Sequence, residues 1–540
     1  MRKLVLAVAV LLPSAGSVAR GQVPVWAGFA GDAQHTADSS VASDSLSTIR
    51  WETPVDTTIE GSSGPIYIHY GSPVITADNT VIVPVKTSSS GNFEVEGITG
   101  SSGAIEWTYG SNYVLPPYGW TPSFSPALTP SNTLYYPGAG GTVFSVADPD
   151  SSSPGTPSQI AFFGNSNYQA NPSAYNSSVY IDTPITSDSS GDVYFGYRVT
   201  GSTPLGTLLS SSGIARITPV GAATYVPVSS LTSNAALTST VMNGAPAISA
   251  DGTKLYVALS NVNVSSGQPE TGATGDLVEL NATTLAPLAS VALTDPKSGA
   301  AAYLPDDGTA SVTIGPNGDV YYGVRDDPFN SNNDRGWLLH FSGNLATKDA
   351  PAAFGWDDTA SVVPAAMVPS YKGSSSYLLM VKYNNYAGHG TGNGVNQIAI
   401  VDPTATMTDP ISGQTVMDVV ESISGVTRDA DARDDGFANA VREWCINSAV
   451  FDPATDSILA NSEDGNLYRW DLATDTFTQV INLTSGVGEA YTPTVIGADG
   501  AVYAIQDGVL LSVVAEPASA ALLAGGALIL TMRRRQKRID

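Results

Sequence analysis

The chain has 540 residues, of which 42% are apolar and only 13% charged, with 53 Gly and 35 Pro; this composition supplies a large core but argues against helical bundles and coiled coils. Formal charge is −26 at pH 7, which repels nucleic acid and anionic membrane surfaces. The single cysteine, Cys445, rules out an intrachain disulfide, a Cys-based zinc site and a CxxC redox pair. In chain order, the first element is a secretory signal over 1–21: Arg2 and Lys3, the apolar run Leu4 to Leu12, and small residues around Ser17, Ala19 and Gly21, with cleavage after Ala19 or Gly21. No cysteine follows it, so a lipidated outer-membrane protein is excluded.

Eight segments then share one plan: a short apolar strand, a turn rich in Asp, Asn and Gly, and a second strand. They are 73–83, 126–136, 184–195, 246–257, 311–322, 364–381, 448–460 and 493–504, spaced by roughly 60 residues. Asp-Gly and Asn-Gly between β-rich runs favour tight hairpins because these residues tolerate positive φ. A third strand follows most hairpins, as at 141–148, 275–284, 396–403 and 465–476, and a fourth at 104–110 and 477–483. Four antiparallel strands per repeat predict the blade of a β-propeller, whereas an array of β-sandwiches needs more strands per unit. The eighth repeat ends at its third strand, 508–514. Ile49-Arg50-Trp51 repeats the Ile-x-Trp pattern of Ile105-Glu106-Trp107, so an N-terminal strand is expected to complete the last blade and close an eight-bladed ring.

The stretch WAGFAGDAQHTADSS at 26–40, leading into Ile49-Arg50-Trp51, resembles the N-terminal signature of bacterial PQQ-like β-propeller proteins; the resemblance covers most of residues 26–514, and the propeller domain is taken as 22–514. It implies an all-β propeller. Catalytic quinoproteins of this kind hold pyrroloquinoline quinone over a tryptophan, bind calcium through Glu, Asn and Asp, and cap the cofactor with adjacent cysteines; the family also includes a noncatalytic assembly lipoprotein. The present chain has no cysteine pair and no matching Glu, Asn and Asp spacing, so the quinone is not expected.

Other catalytic templates fail as well. His35, His69, His340 and His389 lie far apart in sequence, and HExxH, GxSxG and P-loop patterns are missing. His35 is read as shaping the N-terminal segment, and GHGTGNG at 388–394 as a flexible loop between two strands of the sixth blade. Within the insertion before the seventh repeat, Phe437, Val441, Trp444 and Cys445 stand at helical spacing and predict one apolar helix face, with Cys445 a small core residue. The preceding Asp429, Asp431, Asp434 and Asp435 favour that helix's N-terminal end, and are alternatively the oxygen ligands of a calcium loop. The pairs Asp306–Asp307, Asp326–Asp327 and Asp357–Asp358 read as turn and surface positions, with no catalytic role.

At the C-terminus, Glu516 and Pro517 precede the apolar run Ala518 to Met532 and the cluster Arg533, Arg534, Arg535, Gln536, Lys537 and Arg538. As a helix this run spans ~22 Å, short of the ~30 Å hydrocarbon layer. The arrangement over 515–540 resembles the PEP-CTERM sorting tail, with Ala515 where that family has its first proline; the resemblance implies an exosortase as processing partner and transient attachment to the inner membrane. Together these readings describe an exported, noncatalytic propeller of the bacterial envelope, surface or extracellular matrix that binds a polysaccharide or protein. The alternative is a quinoprotein dehydrogenase or carbohydrate-active enzyme with its site at the propeller channel.

Overall fold

The computed structural model describes residues 23–57, 71–88, 92–115, 123–262, 272–304, 310–446, 448–485 and 492–516. The signal segment, Pro517 and the tail that follows it, His69 and the Asp306–Asp307 pair lie outside these residues. Among the described residues no helix is long and apolar enough to cross a membrane.

The strands form eight antiparallel sheets in chain order, the eight blades expected. Blade 1 is typical: Val74–Ile75, Thr80–Lys86, Phe93–Thr99 and Ile105–Ser111 pair in sequence. The innermost strands are short and the second strands almost wholly buried, as in Thr80–Lys86 and Val193–Val199, because each blade packs both faces against its neighbours. In blades 3 and 4 the inner strand is interrupted, giving five strands. The third strand of blade 6, read as ending at 403, runs on to Thr408.

Thr48–Pro54 completes the eighth sheet, pairing antiparallel with Val509–Val514 so that Ile49 faces Val513 and Thr53 faces Leu510. This is the expected closure. The register breaks between Ile49 and Trp51, and in blade 1 Ile98 faces Ile105 while Gly97 faces Trp107. The middle residue of Ile-x-Trp is therefore a β-bulge in both strands, which sharpens the local twist. Each bulge sends a tryptophan to the next blade: the Trp51 indole N–H donates to the Gly100 carbonyl at 2.7 Å and that of Trp107 to the Pro149 carbonyl at 3.0 Å.

Residues 25–39 lie across one end of the central channel. The inner-strand amides of Leu128, Ile248, Ile314, Val362 and Phe451 donate in turn to the carbonyls of Ala27, Ala33, Gln34, Thr36 and Ala37 at 2.7 to 2.9 Å, and Ile75 exchanges bonds with Trp26. An inner strand has no strand partner on its channel side, so these amides need acceptors, and the N-terminal segment supplies them to six blades. Left-handed Ala30, His35 and Ala37 (φ 48°, 59° and 50°) turn the segment around the ring. Asp32 ties it by accepting the Gln34 and Thr36 amides and the Thr36 hydroxyl, and the buried His35 donates Nδ1–H to the Val312 carbonyl at 2.7 Å. His35 thus shapes the segment as expected.

Ile75, Leu128, Ile248 and Ile314 end their strands immediately before short hairpin turns, so the plug sits at the hairpin face. Strand alternation places the longer connections, such as 162–178, 200–212, 325–336, 383–396 and 425–449, together on the opposite face.

Candidate functional site

The insertion 425–449 on the long-loop face is built differently from its sequence reading. The aspartate-rich run is itself the helix: Asp429 caps Ala430–Asp434 by accepting the amides of Asp431 and Ala432, and Gly436 at φ 103° ends it. Phe437 to Cys445 contain no helix. Arg428 bridges Val441 and the Arg442 amide donates to the Thr427 carbonyl, so the chain is paired here as a strand is, not coiled as a helix. Extended backbone alternates its side chains. Trp444 and Ile446 accordingly enter the core, the former against Tyr468 and Phe477, while Glu443 and Cys445 share the other side. Buried Asn384 holds this geometry by accepting the Trp444 amide and donating to its carbonyl, each at 3.1 Å.

The side chain of Glu463, in the turn between the second and third strands of blade 7, meets this pair. Its Oε1 accepts the Glu443 amide at 3.1 Å and its Oε2 the Cys445 thiol at 3.1 Å. Ligand atoms of Glu443, Cys445 and Glu463 lie within 4.8 Å of one another, the one such set of three among the described residues. Cys445 is thus half-buried beside carboxylates and not a core residue. Asp429, Asp431, Asp434 and Asp435 do not converge in this way: Asp429 caps the helix and pairs with Arg442 at 3.6 Å, and Asp431 is exposed. His389, in the loop read as flexible, bonds Asp334 of blade 5 at 2.7 Å, and Thr391 bonds Asn333, so that loop is anchored.

Burial governs the titration of this face. It raises Glu443 to about 7, with Glu463 and Asp429 adding repulsion, and raises Glu463 and the Cys445 thiol as well. Asp358, read as a surface residue, is buried and raised to about 7 by burial despite nearby Lys382, whose backbone N–H donates to it. Asp326 is likewise buried, with one oxygen accepting the Asn332 amide. One thiol and two carboxyls around one point can share protons, or release them to a divalent cation with mixed sulfur and oxygen preference. The set differs from the Glu, Asn and Asp donors of a quinone-linked calcium, so these residues do not fit that group.

A pH dependence follows. Glu443, Asp358 and Glu421 are raised to about 7 and Asp38 to about 6, in each case chiefly by burial. A carboxyl raised in the folded state stabilises fully below its unfolded pKa of ~4, and that stability is lost as the pH rises through 6 to 7. His35, lowered to about 4 by burial, opposes this as the pH falls below ~6.5, but it is one group against four. The melting temperature is expected to be higher at pH 5.5 than at pH 8, with Glu443→Gln narrowing the difference; a higher melting temperature at pH 8 would contradict these assignments.

No protein-family model matches the sequence, and no curated protein matches it. Solved structures do. A europium-containing methanol dehydrogenase superposes with a TM-score of 0.51 at 9% identity, covering 90% of this chain and 89% of that one. BamB from Moraxella catarrhalis gives 0.43 at 11% identity over 86% and 98%, and the quinohemoprotein alcohol dehydrogenase of Comamonas testosteroni 0.44 at 12% over 90% and 71%. At these identities the likeness shows the fold alone: the chain is an eight-bladed β-propeller.

Proposed function

We propose that the chain is an exported, noncatalytic binding or scaffold propeller of the bacterial envelope or extracellular matrix, which presents its long-loop face to a polysaccharide or protein partner. One observation carries the reading: the N-terminal segment occupies the hairpin end of the channel, so the long connections of the other face are what a partner can engage. The signal over 1–21 and the tail with Glu516, Pro517 and Arg533 to Arg535 supply the address, with an exosortase-type enzyme removing the tail.

The test uses cell envelopes and a Cys445→Ser background. A bulky maleimide at Thr391→Cys, on the long-loop face, is expected to abolish retention of the purified protein on envelopes, whereas the same group at Asp251→Cys, on a hairpin turn, leaves it. Equal retention of both refutes the face assignment. In the same fractions, mass spectrometry is expected to find a mature chain ending near 516; an intact Arg533 to Arg538 segment confined to the inner membrane refutes sorting.

The convergence of Glu443, Cys445 and Glu463 favours a second reading, an enzyme at this face. Glycan hydrolysis by the purified protein that is lost in Glu463→Gln would promote that reading over the first, and none is expected.

A further inference from the structure

Blade 6 departs from the others in its outer hairpin. Gln397–Thr408 and Thr415–Ser424 have 12 and 10 residues, against four to seven for the third and fourth strands elsewhere. The register jumps between Asp402, which faces Asp418, and Thr406, which faces Met417. The extra residues Pro403 to Ala405 turn the far half of the hairpin onto blade 5. There Val416 joins the apolar cluster of blades 4 and 5, and Asp409 at the tip pairs with Arg335 at 2.7 Å, both side chains 1% exposed.

Between the turned hairpin and the 383–396 loop lies a cavity of about 270 Å³, lined by Tyr383, Asn385, Asn393, Gln397, Arg335 and Asp409 among others. This volume is near the lower end of small-molecule sites, ~300 Å³. Its polar groups are fixed and incompletely used. Asn393 Oδ1 accepts from Asn385 and from the Val395 amide, and its NH₂ makes no hydrogen bond among the described residues. Gln397 donates to Ser422 and Ser424 at 3.3 Å, which leaves its carbonyl oxygen as an acceptor. Asp409 Oδ2 takes Arg335 and the amide and hydroxyl of Ser412, while Oδ1 is buried without a partner. Arg335 and Asp409 cancel in charge. The lining therefore offers donors and acceptors, the Tyr383 ring and apolar Met407 and Val419, but no net charge to attract an ion.

An apolar face and several hydroxyls that both donate and accept, without charge, are the chemistry of a pyranose ring. We propose that this cavity binds a neutral sugar residue of a glycan, with sugar hydroxyls bonded to Asn393 and Gln397. An acidic glycan is disfavoured by the net charge of −26. The proposal rests on the binding-propeller reading and gives its partner a chemical class.

The experiment is calorimetric titration of the purified protein with neutral tetrasaccharides of gluco, manno and galacto configuration, with the corresponding free monosaccharides, and with polygalacturonate. One neutral tetrasaccharide is expected to bind more tightly than its monosaccharide, and Asn393→Ala and Gln397→Ala each to weaken it about tenfold at unchanged melting temperature. Asn393→Asp, which keeps the shape and removes the donor, serves if Asn393→Ala does not fold. Glycan binding untouched by these substitutions overturns the cavity assignment and leaves the binding reading standing. Preference for polygalacturonate, or binding by none of these sugars, overturns the proposal, and the envelope-retention experiment separately decides the broader reading.

Discussion

A chain that begins at residue 55 is expected to lose its cooperative thermal transition and to aggregate. The deletion removes the strand that pairs with Val509–Val514, leaving an open apolar edge on blade 8, and takes away the carbonyls that satisfy inner-strand amides of six blades. It also removes Arg50, which pairs with Asp499 at 2.7 Å and reaches the Gly100 carbonyl at 2.6 Å, and so joins blade 8 to blade 1. A buried amide left without an acceptor costs ~1 to 3 kcal/mol, and several are exposed together, so no partial repair within the remaining chain offsets the loss. Scanning calorimetry of the truncated and intact proteins decides the matter; a sharp transition within a few degrees of the intact protein would show that the ring closes without this segment.

Arg198→Met is expected to destabilise the fold by ~3 to 5 kcal/mol. Arg198 and Asp182 pair at 3.0 Å with both side chains fully buried in blade 3. Asp182 also accepts the Thr240 hydroxyl at 2.8 Å, and Arg198 donates to the Thr240 carbonyl at 3.2 Å, so the pair ties blade 3 to blade 4. Removing the guanidinium strands a fully buried carboxylate. Asp182→Asn in the same chain removes that charge and is expected to recover part of the loss. Denaturant titration measures both, and a loss below ~1 kcal/mol in the single variant would mean the pair is solvated in solution.

The blades were legible because in each the first two apolar strands flank a short turn rich in Asp, Asn, Ser or Gly, with Asp-Gly or Asn-Gly at 251–252, 317–318 and 499–500, and these are local features. Closure was legible for a sharper reason: Ile-x-Trp records a bulge and a tryptophan that docks on the next blade, so its recurrence at 49–51 and 105–107 marks equivalent strands. The plug was not, since its bonds to the ring run mostly through backbone carbonyls, and the two side chains that join them, Gln34 and His35, form no repeating pattern. In the insertion, Phe437, Val441, Trp444 and Cys445 fit a helix only on paper. Gly436 stops the helix one residue earlier, and beyond Arg442 the period is 2, with Trp444 inward and Cys445 outward. Glu463 could not have been joined to Glu443 and Cys445 from spacing, because a different blade brings it there. Pro403, taken as the end of a strand, instead begins the bulge that turns the outer hairpin of blade 6 and creates the cavity.

The central claim is that the N-terminal segment closes the hairpin end of the channel and leaves the long-loop face for partners. Residue-resolved hydrogen exchange tests it most directly, through the channel-side amides of Leu128, Ile248, Ile314, Val362 and Phe451. In a water-filled channel these amides have no strand partner and exchange readily; bonded to Ala27, Ala33, Gln34, Thr36 and Ala37, they open only when the plug leaves. Protection comparable to that of the buried second strands is the result predicted, and exchange as fast as that of the exposed hairpin turns would contradict it.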